Sequence, residues 1–115
     1  MKRRFRLTRS TDFRRVRRLG KSYAHPLIVL YQLASERSGI RIGVAAGRTV
    51  GSAVQRNRAK RLLRAAMSTL IPQVNPGLDL LLIARSPLAS ATLEQTRSAL
   101  LSLLQRAQLL IPNDR

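Results

Sequence analysis

The spacing of apolar residues changes several times along the chain, and each change marks an element. Between Ser10 and Gly20, Phe13, Val16 and Leu19 recur every three residues among Arg14, Arg15, Arg17 and Arg18, which predicts a short amphipathic helix. Ser10 or Thr11 is the expected N-cap, Asp12 suits the first turn, and Gly20 is the expected terminator. The run "HPLIVLYQLA" (25–34) and the alternating "IRIGVAAG" (40–47) read as strands. Their short 35–39 connection predicts an antiparallel hairpin. Gly51 and Ser52 precede a helix over about 53–71 that Pro72 ends. "LDLLLIAR" (78–85), bounded by "NPG" and "SP", is a further strand, and the leucines at 93, 100, 103, 104 and 110 predict a final helix over 92–110.

The order is thus helix, two or three strands, helix, strand, helix, an α+β layer of helices on a small sheet. Strands 40–46 and 79–84, joined through a helix, should run parallel, and the general rule makes such a crossover right-handed. A chain of 115 residues has room for one core. The reading is a single domain over 1–115, with residues 1–8 as a basic arm and 111–115 as a frayed tail.

The central helix carries the most pointed pattern. In "QRNRAKRLLR" (55–64) five of ten residues are basic, yet two adjacent leucines ask for burial. At about 100° per residue, Arg56, Asn57, Lys60, Arg61 and Arg64 share one arc, and Ala59, Leu62, Leu63, Ala66 and Leu70 lie opposite. A merely solvated helix interleaves acids to gain i,i+4 pairs, but no Asp or Glu occurs between Glu36 and Asp79. Arg56 with Lys60, and Lys60 with Arg64, therefore repel, and phosphates facing them would reverse the sign. Asn57 adds a neutral donor and acceptor suited to a base edge or a 2′-hydroxyl.

Charge extends this beyond one helix. The net charge is +17, from 22 basic and 5 acidic residues, which points to a polyanionic partner. Residues 1–64 hold 18 of the basic and 2 of the acidic side chains. There is one His, His25, next to Pro26, and no Cys, so disulfides and thiolate metal sites are excluded and a reducing compartment is permitted. Five scattered acids are poor material for general acid–base work or a two-metal site, so no catalytic or metal-ligating residue is assigned to this chain. No stretch approaches the roughly 18 apolar residues of a membrane span.

Arg56, Asn57, Arg58, Lys60, Arg61 and Arg64 resemble the Arg-Asn-Arg signature helix of the bacterial ribonuclease P protein subunit. "RLTRSTDFRRV", "IVLY", "RIGVAAGR" and "DLLLIAR" agree in order and spacing, so the resemblance covers about residues 4–100. It implies a two-layer α-β-β-β-α-β-α sandwich with a four-stranded sheet, ribosomal-protein-like, whose βαβ crossover is left-handed against the general rule. It also implies that this chain is not the catalyst. A large RNA would carry the active site and, with Mg²⁺ bound mainly by that RNA and no organic cofactor, hydrolyse the phosphodiester that releases the 5′ leader of precursor tRNA in the cytoplasm.

By the same resemblance those six residues face the catalytic RNA, with one copy of the protein per RNA. Phe13, Arg17, Tyr31, Arg48, Thr49, Arg56 and Asn57 would line a cleft for the single-stranded leader. The chain departs from the family twice: Arg17 stands where a second aromatic is usual, and Thr49 where a second basic residue is usual. The cleft is therefore expected to lean on charge as well as stacking. Tyr31 alternates with Leu30, which turns it away from the aliphatic face, whereas Phe13 suits a core anchor equally well. A structural ribosomal RNA-binding protein shares the size, charge and α+β character. A DNA-binding module lacks helix-turn-helix spacing, zinc ligands and a basic zipper, and the first helix has too thin an apolar stripe for membrane insertion.

Overall fold

The fold comes from a computed structural model that describes residues 1–112. Its elements are α1 (Ser10–Leu19), β1 (Lys21–Ala24), β2 (Ile28–Ala34), β3 (Ile40–Ala46), α2 (Ala53–Leu70), β4 (Leu78–Ala84) and α3 (Leu93–Arg106), with short 3-10 turns at Arg3–Phe5, Arg48–Val50, Ile71–Gln73 and Ser86–Ser90. The four strands form one sheet in the order β1-β2-β4-β3. The element order and α+β class are those expected.

The hairpin assignment needs correction. β2 and β3 do not pair: β4 lies between them, antiparallel to β2 and parallel to β3. β4 is the strand whose side chains are buried on both faces, so the centre of the sheet is where it removes most apolar surface from water. The true hairpin is β1 with β2, turning through His25, whose Nδ1 accepts the Leu27 N–H at 3.0 Å. β3 and β4 are parallel as expected, joined through α2.

Alternation along the strands divides the interior into two clusters. Ile28, Leu30, Ile42, Leu80 and Leu82 face α2 and α3 and form the main core with Leu63, Met67, Leu70, Leu100, Leu103 and Leu104. On the other face Leu81, Tyr31, Leu33 and Ile83 meet α1 through Val16 and Phe13, together with Leu7. α1 thus covers only part of the face that α2 and α3 leave free.

Local chemistry sets the boundaries of each helix. α2 starts in a capping box: the Gln55 N–H donates to Ser52 Oγ at 3.3 Å and the Ser52 N–H donates to Gln55 Oε1 at 2.8 Å. Gly51 precedes it at φ 136°, and a Cβ there would lie 1.9 Å from Gln55 Oε1, so only glycine fits. The cap of α1 is Arg9, not Ser10 or Thr11, and it makes no side-chain cap bond. Gly20 does end α1, but at φ −80°. Its requirement is space, since a Cβ would stand 2.5 Å from the Val16 carbonyl oxygen and 2.6 Å from that of Gln32. α3 stops at Arg106, short of the expected 110, where Gln108 takes a positive φ of 58°.

The N-terminal stretch is docked rather than extended as an arm. The Leu7 N–H donates to the Ile42 carbonyl at 2.9 Å, Arg6 bridges Ile42, and Leu7 is buried. At the other end the Ile111 N–H donates to the Gln73 carbonyl at 2.8 Å, and the remainder of the expected frayed tail lies outside the described residues.

Candidate nucleic-acid interface

α2 meets both demands of its sequence. Ala59, Leu63, Ala66, Met67 and Leu70 are buried, with Leu62 half-buried beside them. On the opposite arc Asn57 and Arg61 are exposed, and Arg56, Lys60 and Arg64 are half-buried. Among the described residues none of these four cations is in an ion pair. Arg64 has its pKa lowered, first by burial and then by the charge of Arg6. Arg56 Nε is buried with no hydrogen-bond partner, and such a donor is costly unless something supplies an acceptor.

Arg58 stands apart from that row. Its guanidinium donates to the carbonyls of Ala89 and Ala91, the latter at 3.1 Å, tying α2 to the Ser86–Ser90 turn ahead of α3. Its side chain nonetheless remains exposed. Arg48 and Thr49 are exposed in the turn that leads from β3 into α2.

The α1 face gathers three of the predicted residues. Tyr31, Leu81 and Gly43 occupy one cross-strand row on β2, β4 and β3, and α1 lies across it. Phe13 rests on Gly43, where a Cβ would come within 2.7 Å of the ring. Val16 is buried against the middle of the row. The Arg17 guanidinium lies 6.0 Å from the Tyr31 ring centroid, within cation–π range. A cation therefore stands against the one aromatic of β2. Phe13 is packed in the cluster yet only half-buried.

The two regions meet at β3, the edge strand. A recess of about 170 Å³ is lined by Arg6, Leu7, Thr8, Phe13, Ile42, Val44 and Arg64, so an α1 aromatic and an α2 cation share one opening.

Sequence reasoning missed the polar centre beneath α1. Asp79 is 1% exposed. Its Oδ2 accepts from Arg15 Nη2 at 2.6 Å and Arg41 Nη2 at 2.9 Å, and its Oδ1 accepts from Arg41 Nε at 3.1 Å. Asp12 joins from α1, 3.4 Å from Arg15 and 3.8 Å from Arg41. Burial pushes the Asp79 pKa up, but the hydrogen bonds from Arg41 and Arg15 and their charges outweigh it, leaving the carboxyl below its ordinary value. The available signal was a lone Asp in an otherwise apolar strand; its partners, 64 and 38 residues earlier, are invisible to local spacing.

Comparison with known proteins agrees with this architecture. A family model described as Ribonuclease P matches residues 1–108. The ribonuclease P protein component of Herpetosiphon aurantiacus is 40% identical over 109 residues, covering 95% of this chain and 89% of that protein. That of Bacillus cereus is 36% identical over 108 residues, covering 93% and 94%. The solved RNase P protein of Staphylococcus aureus superposes with a TM-score of 0.83 at 28% identity, over 93% of this chain and 98% of its own. That of Thermotoga maritima gives 0.78 at 27% identity, over 94% and 98%. The chain therefore belongs to the ribonuclease P protein component family, the protein partners of ribonuclease P RNA in the endoribonuclease that processes tRNA.

Proposed function

We propose that α2 carries the chain onto the catalytic RNA, and that the α1 face of the sheet takes the single-stranded 5′ leader of precursor tRNA. The observation that carries this reading is the unpaired row Arg56, Lys60, Arg61 and Arg64, rigidly mounted because the opposite side of the same helix is core. Phosphates along that row would relieve the repulsion between neighbouring cations, and an acceptor would satisfy Arg56 Nε. Arg58 flanks the row and retains exposed donors, and Asn57 stands within it, offering a base or ribose contact.

Leader recognition is supported by the pairing of ring and cation. Single strands are held by stacking, worth about 1–3 kcal/mol per base, inside a cationic groove. Phe13, Tyr31 and Arg17 supply both, and Arg48, Thr49, Arg56 and Asn57 would continue the track toward α2.

Hydrolysis itself falls to the RNA. Among the described residues no group of three or more His, Cys, Asp or Glu could hold a metal ion, and Asp12 and Asp79 are engaged by Arg15 and Arg41. The described residues offer no set of acids that fits a Mg²⁺ site, and this reading assigns the ion to RNA phosphates. One protein per RNA, acting in the cytoplasm without a membrane, completes the reading.

The test is to sequence the RNAs that copurify with the tagged protein from its own cells after a moderate-salt wash. One dominant stable RNA, cleaving precursor tRNA at low Mg²⁺ only when the protein is added back, is the expected result. Ribosomal RNA alone, with no stimulation of cleavage, would replace this reading with a structural ribosomal role.

A further inference from the structure

We propose that Asp79 is a positioning residue for leader recognition: by holding Arg15 of α1 and Arg41 of β3 at once, it fixes the roll of α1 and so the seats of Phe13 and Arg17. This role presupposes that the α1 face takes the leader.

α1 is thinly attached by apolar contact. Val16 is its only fully buried residue, and one buried side chain is a pivot rather than a clamp. On a helix turning about 100° per residue, Asp12 and Arg15 fall to one side of Val16. Phe13 and Arg17 fall to the other, and Arg14 and Arg18 point away. The ion network and the leader-facing side chains are therefore the two arms of one lever. Releasing the Arg15–Asp79 contact frees the helix to roll about Val16, lifting Phe13 from Gly43 and moving Arg17 off Tyr31.

Stability alone does not account for an acid at this position. Asp79 sits in a strand buried on both faces, where an apolar side chain of similar volume is often as stabilising as a buried ion pair or more so. The best attested use of such groups is to fix one arrangement among several. Two guanidinium donors from two elements, three hydrogen bonds on one carboxylate and a second acid bracing both arginines are suited to that task.

The experiment uses the holoenzyme reconstituted with ribonuclease P RNA, and two precursor tRNAs, one with a long leader and one with a single leader nucleotide. Asp79→Asn and Arg15→Gln are compared with the parent protein and with Tyr31→Ala, after circular dichroism establishes that each variant is folded. The expected result is a KM for the long-leader substrate raised about tenfold, within the range of one weakened stacking contact, with kcat, the single-nucleotide substrate and affinity for the RNA unchanged. The double variant Asp79→Asn/Arg15→Gln should be no worse than Asp79→Asn alone, because the Arg15–Asp79 contact is already lost there. Equal losses on both substrates, or no loss on either, would overturn the positioning role. If Asp79→Asn does not fold, Arg15→Gln alone decides by the same criteria. If Tyr31→Ala spares leader selectivity as well, the cleft reading itself has failed and the role of Asp79 falls with it; if only Tyr31→Ala alters selectivity, the cleft stands and the positioning role does not.

Discussion

α1 and α2 are both densely basic helices, yet they use their arginines in opposite ways. α2 docks through a broad apolar side, so Arg56, Lys60, Arg61 and Arg64 are left for a partner, while Arg58 is tied to backbone carbonyls. α1 docks through one valine and a half-buried phenylalanine, and spends Arg15 on a buried acid to complete the attachment. Charge density in sequence therefore does not measure charge available to RNA. What decides is whether the other side of the helix can hold the element by itself.

The contrast can be broken most forcefully at the core. Leu63→Ala should destabilise the protein by about 2–5 kcal/mol, the usual cost of emptying a fully buried leucine site, seen as a lower urea midpoint. A loss comparable to that of a surface substitution would mean that α2 is not anchored as described. Next in size, Tyr31→Ala should weaken binding of precursor tRNA by about 1–3 kcal/mol if one base stacks there, while mature tRNA binds as before; equal weakening of both would remove Tyr31 from the leader path. Arg61→Ala should lower the slope of log affinity against log salt for the catalytic RNA by about 0.7–0.9, the share of one phosphate contact, and an unchanged slope would take Arg61 out of the interface.

The smallest effect under ordinary conditions is the pH dependence of the α1 attachment. The folded-state pKa of Asp79 lies below the ordinary value of 3.8. Its contribution to stability is fully present above that value and is lost as pH falls through the lowered folded pKa. Thermal midpoints measured down through that window should fall, and the fall should be shallower in Asp79→Asn. Identical acid profiles would mean that the network does not hold α1.

Much of this design was legible because it is periodic. The two arcs of α2, its Ser52 start, the alternation that separates Leu30 from Tyr31 and the parallel relation of β3 and β4 all follow from spacing that water enforces within a few residues. The pairing of β2 with β4 was not legible, since a short connection favours a local hairpin and only the burial of β4 on both faces displaces it. The same holds for Asp79, whose partners come from two distant elements, and for Arg58, whose acceptors are backbone carbonyls that any residue provides. The seat of Phe13 depends on Gly43 having no side chain, which the sequence displays but local rules do not connect to an aromatic 30 residues earlier.

The clasp of Leu7 on Ile42 also bears on self-association. An edge strand with free N–H and C=O groups is a template for a second chain, and natural sheets blunt their edges to avoid this. Here one edge is the four-residue β1, and the other is interrupted at Ile42 by the chain's own N-terminal residues. Removing residues 1–8 would delete four cations, and at the same stroke uncover an adhesive strand, so aggregation would accompany any loss of RNA affinity.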